Sequence, residues 1–94
     1  MNKIVPSPQF KRAYKRFIKR NSFLQEKIDE SIRTLERNIF DPSLETHKLS
    51  GKLLGCFACS CGYDCRIVFE IGKSITQSDN EILLITIGSH DEVY

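Results

Sequence analysis

The apolar residues of this chain change their spacing part-way along it, from a period of about 3.6 to a period of about two, and that change limits the fold to helices laid on a sheet. Phe10, Ala13, Tyr14, Phe17 and Ile18 recur at helical spacing and form one stripe. Asn21-Ser22 interrupts the pattern. Leu24, Ile28, Ile32, Leu35 and Ile39 then form a second stripe, closed by Asp41-Pro42. Ahead of both helices, Lys3-Ile4-Val5 reads as a short strand ended by Pro6 and Pro8, with Ser7 placed to cap the first helix. From Leu53 the period is nearer two, and glycines at 55, 62, 72 and 88 punctuate a meander of three strands. The expected fold class is α+β, a short N-terminal strand and two amphipathic helices packed on a C-terminal antiparallel β-sheet. A chain of 94 residues has room for one modest core, so 1–94 is expected to be a single domain.

Parity sets the register of the first two strands of the meander. Phe57, Cys59 and Cys61 share one face, as do Cys65, Ile67, Phe69 and Ile71. A turn centred on Gly62-Tyr63-Asp64 places 61 opposite 65, 59 opposite 67 and 57 opposite 69, which merges the two apolar faces. The reverse face carries Cys56, Ala58, Ser60, Arg66 and Glu70, a polar surface suited to a cleft. Ile82 to Ile87 is apolar almost throughout, which predicts a strand buried on both faces at the sheet centre. The cysteine spacing C-x2-C-x-C-x3-C invites a zinc reading, but C-x-C on an extended strand aims both thiols along one face and does not close a tetrahedron. Cys59, Cys61 and Cys65 are therefore expected in the core as free thiols, with no metal or other cofactor.

Charge is distributed less evenly than a net +2 implies. Residues 1–25 hold Lys3, Lys11, Arg12, Lys15, Arg16, Lys19 and Arg20 and no acid, while the rest of the chain has seven bases against twelve acids. Such a field is the footprint of a polyanion-binding face. The alternative is the solvated side of an amphipathic helix. Six bases between 11 and 20 without an interleaved acid favour RNA or an acidic partner. No apolar run reaches the roughly 18 residues of a membrane span, and the opening MNKIVPSPQFKRAYKR lacks the apolar stretch of a secretory signal. A cytoplasmic protein with no membrane partner is expected.

Three segments carry a resemblance to a known family. Leu49-Ser50-Gly51-Lys52-Leu53-Leu54-Gly55 is similar to the L-x-G-x-x-x-G segment that leads into the sheet of the RelE/ParE toxin superfamily. Tyr63-Asp64-Cys65-Arg66-Ile67-Val68-Phe69 resembles its G-D-Y-R-I-I-Y hairpin strand, and Ile87-Gly88-Ser89-His90-Asp91-Glu92-Val93-Tyr94 resembles the I-G-T-H-D-E-V-Y ending of YafQ-like members. In this order the three form a specific signature over essentially the whole chain. The resemblance implies the toxin of a type II toxin-antitoxin system, a ribosome-dependent endoribonuclease whose partners are a cognate acidic antitoxin, the ribosome and mRNA.

Cleavage of RNA by attack of a ribose 2′-hydroxyl on the neighbouring phosphate needs a base, an acid for the leaving 5′-oxygen, and cations for the charge growing on phosphorus. The ribose supplies the nucleophile, so neither a covalent intermediate nor a metal is required. On the family pattern His90 is a catalytic histidine in the G-[ST]-H segment, and His47 matches a second active-site histidine. Asp64 matches an acid that orients an imidazole or contacts RNA, Arg66 matches a phosphate-holding arginine, and Tyr94 falls where an aromatic ring stacks on a base. Lys48 and Lys52 lie close to His47 in sequence. Lys11, Arg12, Lys15, Arg16, Lys19 and Arg20 are the expected RNA- or ribosome-binding residues. Ser60 departs from the pattern, standing where YafQ-like proteins have a histidine and RelE-like ones an arginine; either Arg66 covers that role or the activity is altered. Two alternatives share the fold, a ParE-like gyrase inhibitor, which needs no acid-base histidines, and a catalytically weakened antitoxin-binding relic.

Overall fold

The computed structural model describes residues 1–73 and 80–94. The chain opens with strand β1 (Lys3–Pro6) and passes through Ser7 into helix α1 (Pro8–Arg20). Ser7 caps that helix as its position predicts, its hydroxyl oxygen accepting from the Phe10 N–H at 3.0 Å, with a proline at the first helical position. Phe10, Ala13 and Phe17 are buried, Tyr14 and Ile18 pack at the edge of the core, and all six bases lie on the exposed circumference.

The second helix is shorter than its apolar stripe. A 3-10 turn over Ser22–Leu24 holds Leu24, α2 runs over Gln25–Arg37, and Ile39 is buried beyond the helix end. The stripe describes what faces the core and not how far the helix continues. Asp29 accepts a 2.9 Å hydrogen bond from the Tyr14 hydroxyl, which ties α2 to α1.

Five strands form one mixed sheet in the order β1-β5-β4-β3-β2. Strand β2 (His47–Lys48) is an edge that pairs with β3 (Phe57–Ser60), which pairs in turn with β4 (Arg66–Lys73) and β5 (Asn80–Gly88), all antiparallel. β1 joins β5 in parallel, so the sheet is mixed and not purely antiparallel. The hairpin register follows from parity: Phe57 faces Phe69 and Cys59 faces Ile67. Cys59, Cys61, Cys65, Ile67 and Phe69 are fully enclosed with Ile28 and Leu35 of α2.

Two expectations are corrected here. Ile82 to Ile87 is not buried on both faces at the centre, because β4 holds the central place and Leu83 remains 37% exposed. The run hides a bulge: Phe69 pairs with Leu84 and Val68 with Thr86, leaving Ile85 as an extra residue between them. Ile82, Leu84 and Ile87 thereby all reach the core despite their mismatched parity. Nor are all four thiols free. Cys61 and Cys65 are joined by a disulfide across the three-residue turn, where the Cys61 N–H donates to the Cys65 carbonyl and the Cα atoms stand 5.1 Å apart. Facing positions on one side of a tight hairpin bring two sulfurs within bonding reach, and Cys56 and Cys59 stay reduced. Gly62 in this turn has φ +121, and a Cβ there would meet a Leu24 methyl at 3.0 Å, so the turn packs directly on the segment before α2.

Candidate functional site

Directly opposed residues of neighbouring strands share a face, so His47, Ala58, Val68 and Thr86 make one row across the sheet on the side away from α1 and α2. The next row on that side is Ser60, Arg66 and Gly88. After Gly88 the chain turns into the one-turn helix α3 (His90–Val93), which lies back against β5 and β4. A Cβ at Gly88 would stand 3.1 Å from the Glu92 side chain and 3.2 Å from that of Val93, so any larger residue would make the helix's side chains give by a few tenths of an ångström. The start of α3 is built by a capping box: the Ser89 hydroxyl accepts from the Glu92 N–H, and the Glu92 carboxylate accepts from the Ser89 N–H at 2.8 Å.

This fold-back places His90 and Tyr94 beside His47. The Tyr94 ring stands edge-on to His90 at 4.7 Å between centroids and 6.5 Å from His47. Its hydroxyl lies 3.4 Å from His47 Nε2. On the other side of the His47 ring, Nδ1 lies 3.0 Å from the Glu45 carbonyl oxygen, which can only accept. In the neutral imidazole the proton is therefore on Nδ1, and Nε2 presents a lone pair to the tyrosine. Burial pushes the Tyr94 phenol above its usual range, against the pull of the nearby Arg66 charge, so at neutral pH the hydroxyl keeps its proton and donates. His90 Nδ1 faces the Asp91 carboxylate at 3.6 Å, and among the described residues Nε2 has no partner.

Of the two roles expected for Asp64, orienting an imidazole or contacting RNA, the first takes another form, since Asp64 reaches His90 through the main chain and not through the ring. Its carboxylate accepts from the main-chain N–H of His90 at 3.0 Å. The hairpin turn, in which Asp64 takes a positive φ of 49, thus fixes the first residue of α3. Lys48 and Lys52 line the same cleft of about 620 Å³ as His47, His90 and Tyr94. Arg66 lies beside that cleft, in a shallower depression with Ser60 and Asp64, its guanidinium donating to the Cys65 carbonyl at 2.9 Å.

The bases of α1 are not gathered there. Arg16 and Arg20 line a separate cleft against α3, Lys11 and Lys15 border an apolar groove with Ile4, Tyr14 and Ile32, and Arg12 and Lys19 are exposed along neither. Among the described residues no three His, Cys, Asp or Glu side chains converge where they could hold a metal ion. No helix among them is long and apolar enough to cross a membrane.

The sequence profile of a family described as bacterial toxin of type II toxin-antitoxin system, YafQ, matches residues 2–94. The chain belongs to the YafQ toxin family. No curated protein matches it by sequence. Among solved structures it is similar to YafQ from E. coli strain BL21(DE3), with TM-score 0.79 at 14% identity over 100% of this chain and 99% of that one. A YoeB/ParE toxin from Agrobacterium tumefaciens gives TM-score 0.74 at 22% identity over 94% and 98%. In the E. coli DinJ-YafQ toxin-antitoxin complex the matched chain gives 0.71 at 16% identity over 99% and 97%. At these identities the structural likeness establishes the fold, which is the RelE-like α+β arrangement read from the sequence.

Two parts of the site in this YafQ-family toxin were absent from the sequence reading. Glu45, with φ 51, supplies the carbonyl that fixes the His47 ring, and nothing local marks it. Ser89 and Glu92 carry the helix that presents His90, and the S-x-x-E spacing of a capping box was a legible signal for them.

Proposed function

We propose that this toxin is a metal-independent endoribonuclease that cleaves mRNA on the ribosome by attack of the ribose 2′-hydroxyl on the adjacent phosphate, and that an acidic antitoxin holds it in check. What supports the reaction is the placement of Tyr94 between two imidazoles on one open cleft. His47, with its Nε2 lone pair available, takes the proton from the 2′-hydroxyl, and His90 delivers a proton to the leaving 5′-oxygen. The Tyr94 hydroxyl bonded to Nε2 must give way to the substrate hydroxyl, whereupon the ring is free to stack on a base. Lys48 and Lys52 on the cleft wall and Arg66 beside it supply cations for the phosphorane-like charge. Ser60 contributes neither proton nor charge, so Arg66, its cross-strand neighbour, takes the phosphate role. The ribosome holds the message in line for attack, which so sparse a site requires. The antitoxin partner follows from the DinJ-YafQ relative and from the exposed bases of α1.

His90→Ala should reduce the cleavage rate on programmed ribosomes by roughly 10²–10⁴-fold, with ribosome binding retained. A message with 2′-deoxyribose at the scissile position should bind and resist cleavage. Growth arrest and message ends unchanged in His90→Ala would remove the histidine mechanism in favour of a gyrase-directed toxin.

A further inference from the structure

On the other side of α3 from the histidines lies a second cleft of about 500 Å³, between the end of α1, the hairpin turn and the helix. Val93 lines both clefts, so the single turn of α3 is their common wall. Two aromatic residues that the fold does not use border this second cleft, Phe23 at 78% and Tyr63 at 92% exposure. One exposed aromatic on a small domain is ordinary, but two beside the same concavity leave π-faces in water for no structural return. Arg16 and Arg20 line it as well, and among the described residues neither guanidinium has a hydrogen-bond or ion-pair partner.

The acids nearby are committed elsewhere. Glu92 is bonded to the Ser89 N–H at 2.8 Å and Asp64 to the His90 N–H at 3.0 Å, both inside the α3 cap; Glu92 feels the Arg20 and Arg16 charges, but neither acid is in ion-pair contact with a guanidinium. Exposed aromatic faces next to unpaired guanidiniums are the composition that takes a single-stranded nucleotide, with the base stacked and the phosphate on the cations. An acidic peptide would use the arginines and leave both rings idle.

We propose that this cleft is a nucleotide subsite, taking one unpaired base and its phosphate from the same RNA whose scissile bond lies in the histidine cleft. The proposal rests on the endoribonuclease reading. A helix is about 10–12 Å across with its side chains, and α3 is a single turn, so an RNA strand crosses it from one cleft to the other without a long detour.

Phe23→Ala and Tyr63→Ala, measured in message cleavage on ribosomes, should each raise KM roughly tenfold to a hundredfold while kcat stays within about twofold, as expected for a lost stacking platform. Both side chains are exposed, so thermal unfolding should not move. Phe23→Tyr and Tyr63→Phe should restore KM, whereas leucine at either position should not. A photoreactive phenylalanine analogue at position 63 should crosslink to the message on message-programmed ribosomes. Unchanged KM in both alanine variants, rescue by leucine, or crosslinks only to ribosomal RNA or protein would overturn the subsite. A wild-type chain that does not cut message overturns both proposals, while a cutting enzyme indifferent to Phe23 and Tyr63 overturns only this one.

Discussion

On the face of the sheet beneath α1 and α2, Cys59, Ile67, Phe69 and Ile82 are completely enclosed, whereas on the face crossed by α3, His47, His90 and Tyr94 stand open to solvent. The first face is held by non-directional packing, in which many weak contacts add. On the second, Ala58 and Val68 are covered too, but the histidines and α3 are placed by a few directed bonds, Asp64 to the His90 amide, Glu45 to His47, and the Ser89–Glu92 box. The same strands serve both faces through alternation. Stability and chemistry are thereby separated within single strands, and damage to one face should leave a different signature from damage to the other.

The largest effect is expected on the packed face. Phe69→Ala empties a fully enclosed site and should cost about 3–5 kcal/mol in urea unfolding, a large part of the stability of a domain this size. A loss below about 1 kcal/mol would mean the core relaxes around the gap and that the contrast between the faces is overstated.

Asp64→Ala should show the opposite pattern. The exposed carboxylate contributes little to global stability, but without it the His90 amide is unanchored, and kcat should fall on the order of tenfold, the scale of one lost hydrogen bond to a charged group. Asp64→Asn keeps an acceptor oxygen and tolerates the positive φ, so it should retain most of the activity. An asparagine variant as impaired as the alanine one would show that the charge itself meets the RNA.

Acid should weaken the α3 side selectively. Glu92 is held below the usual carboxylate range, first by the Ser89 N–H and further by the Arg20 and Arg16 charges. A depressed folded value means that its contribution is complete above the unfolded value and is lost as pH falls through the folded one. The amide resonances of Ser89 and His90 should therefore move toward disordered positions in mild acid while the core amides hold, and Glu92→Gln should abolish that selective change.

The smallest change is expected at Cys59, where burial pushes the thiol up to about 12. Iodoacetamide at neutral pH should leave Cys59 unmodified in the native protein and label it after unfolding. Rapid native labelling would contradict the closed packing of this face.

Legibility in the sequence follows the same division. The α1 stripe and the β3–β4 register were readable because burial on one face imposes a period, and a one-residue slip would turn every core side chain outward. The bulge was not, since a run as apolar as Ile82 to Ile87 carries no parity to break. β2 and α3, of two and four residues, are too short to show a period at all. His47, His90 and Tyr94 were nameable by resemblance, but their meeting depends on a fold-back that Gly88 permits and Asp64 secures. The role of Asp64 runs through a main-chain amide 26 residues away, which no side-chain pattern encodes. The disulfide lay within reach of the reasoning that set 61 opposite 65, and the expectation of reduced thiols concealed it.

The extra residue at Ile85 has a consequence for how this strand tolerates change. The Ile85 carbonyl accepts from the Ser7 hydroxyl at 3.2 Å, the same hydroxyl whose oxygen caps α1. The bulge resets which residues of β5 point inward, and the start of α1 acts as the latch that keeps the reset in place. Upstream of it the strand answers to the core, with Ile82 and Leu84. Downstream it sets the side from which Gly88 launches α3. Removing that one residue would swap inside for outside along the last stretch of the strand and deliver His90 and Tyr94 to the wrong surface, with every side chain of the cleft still present in the sequence.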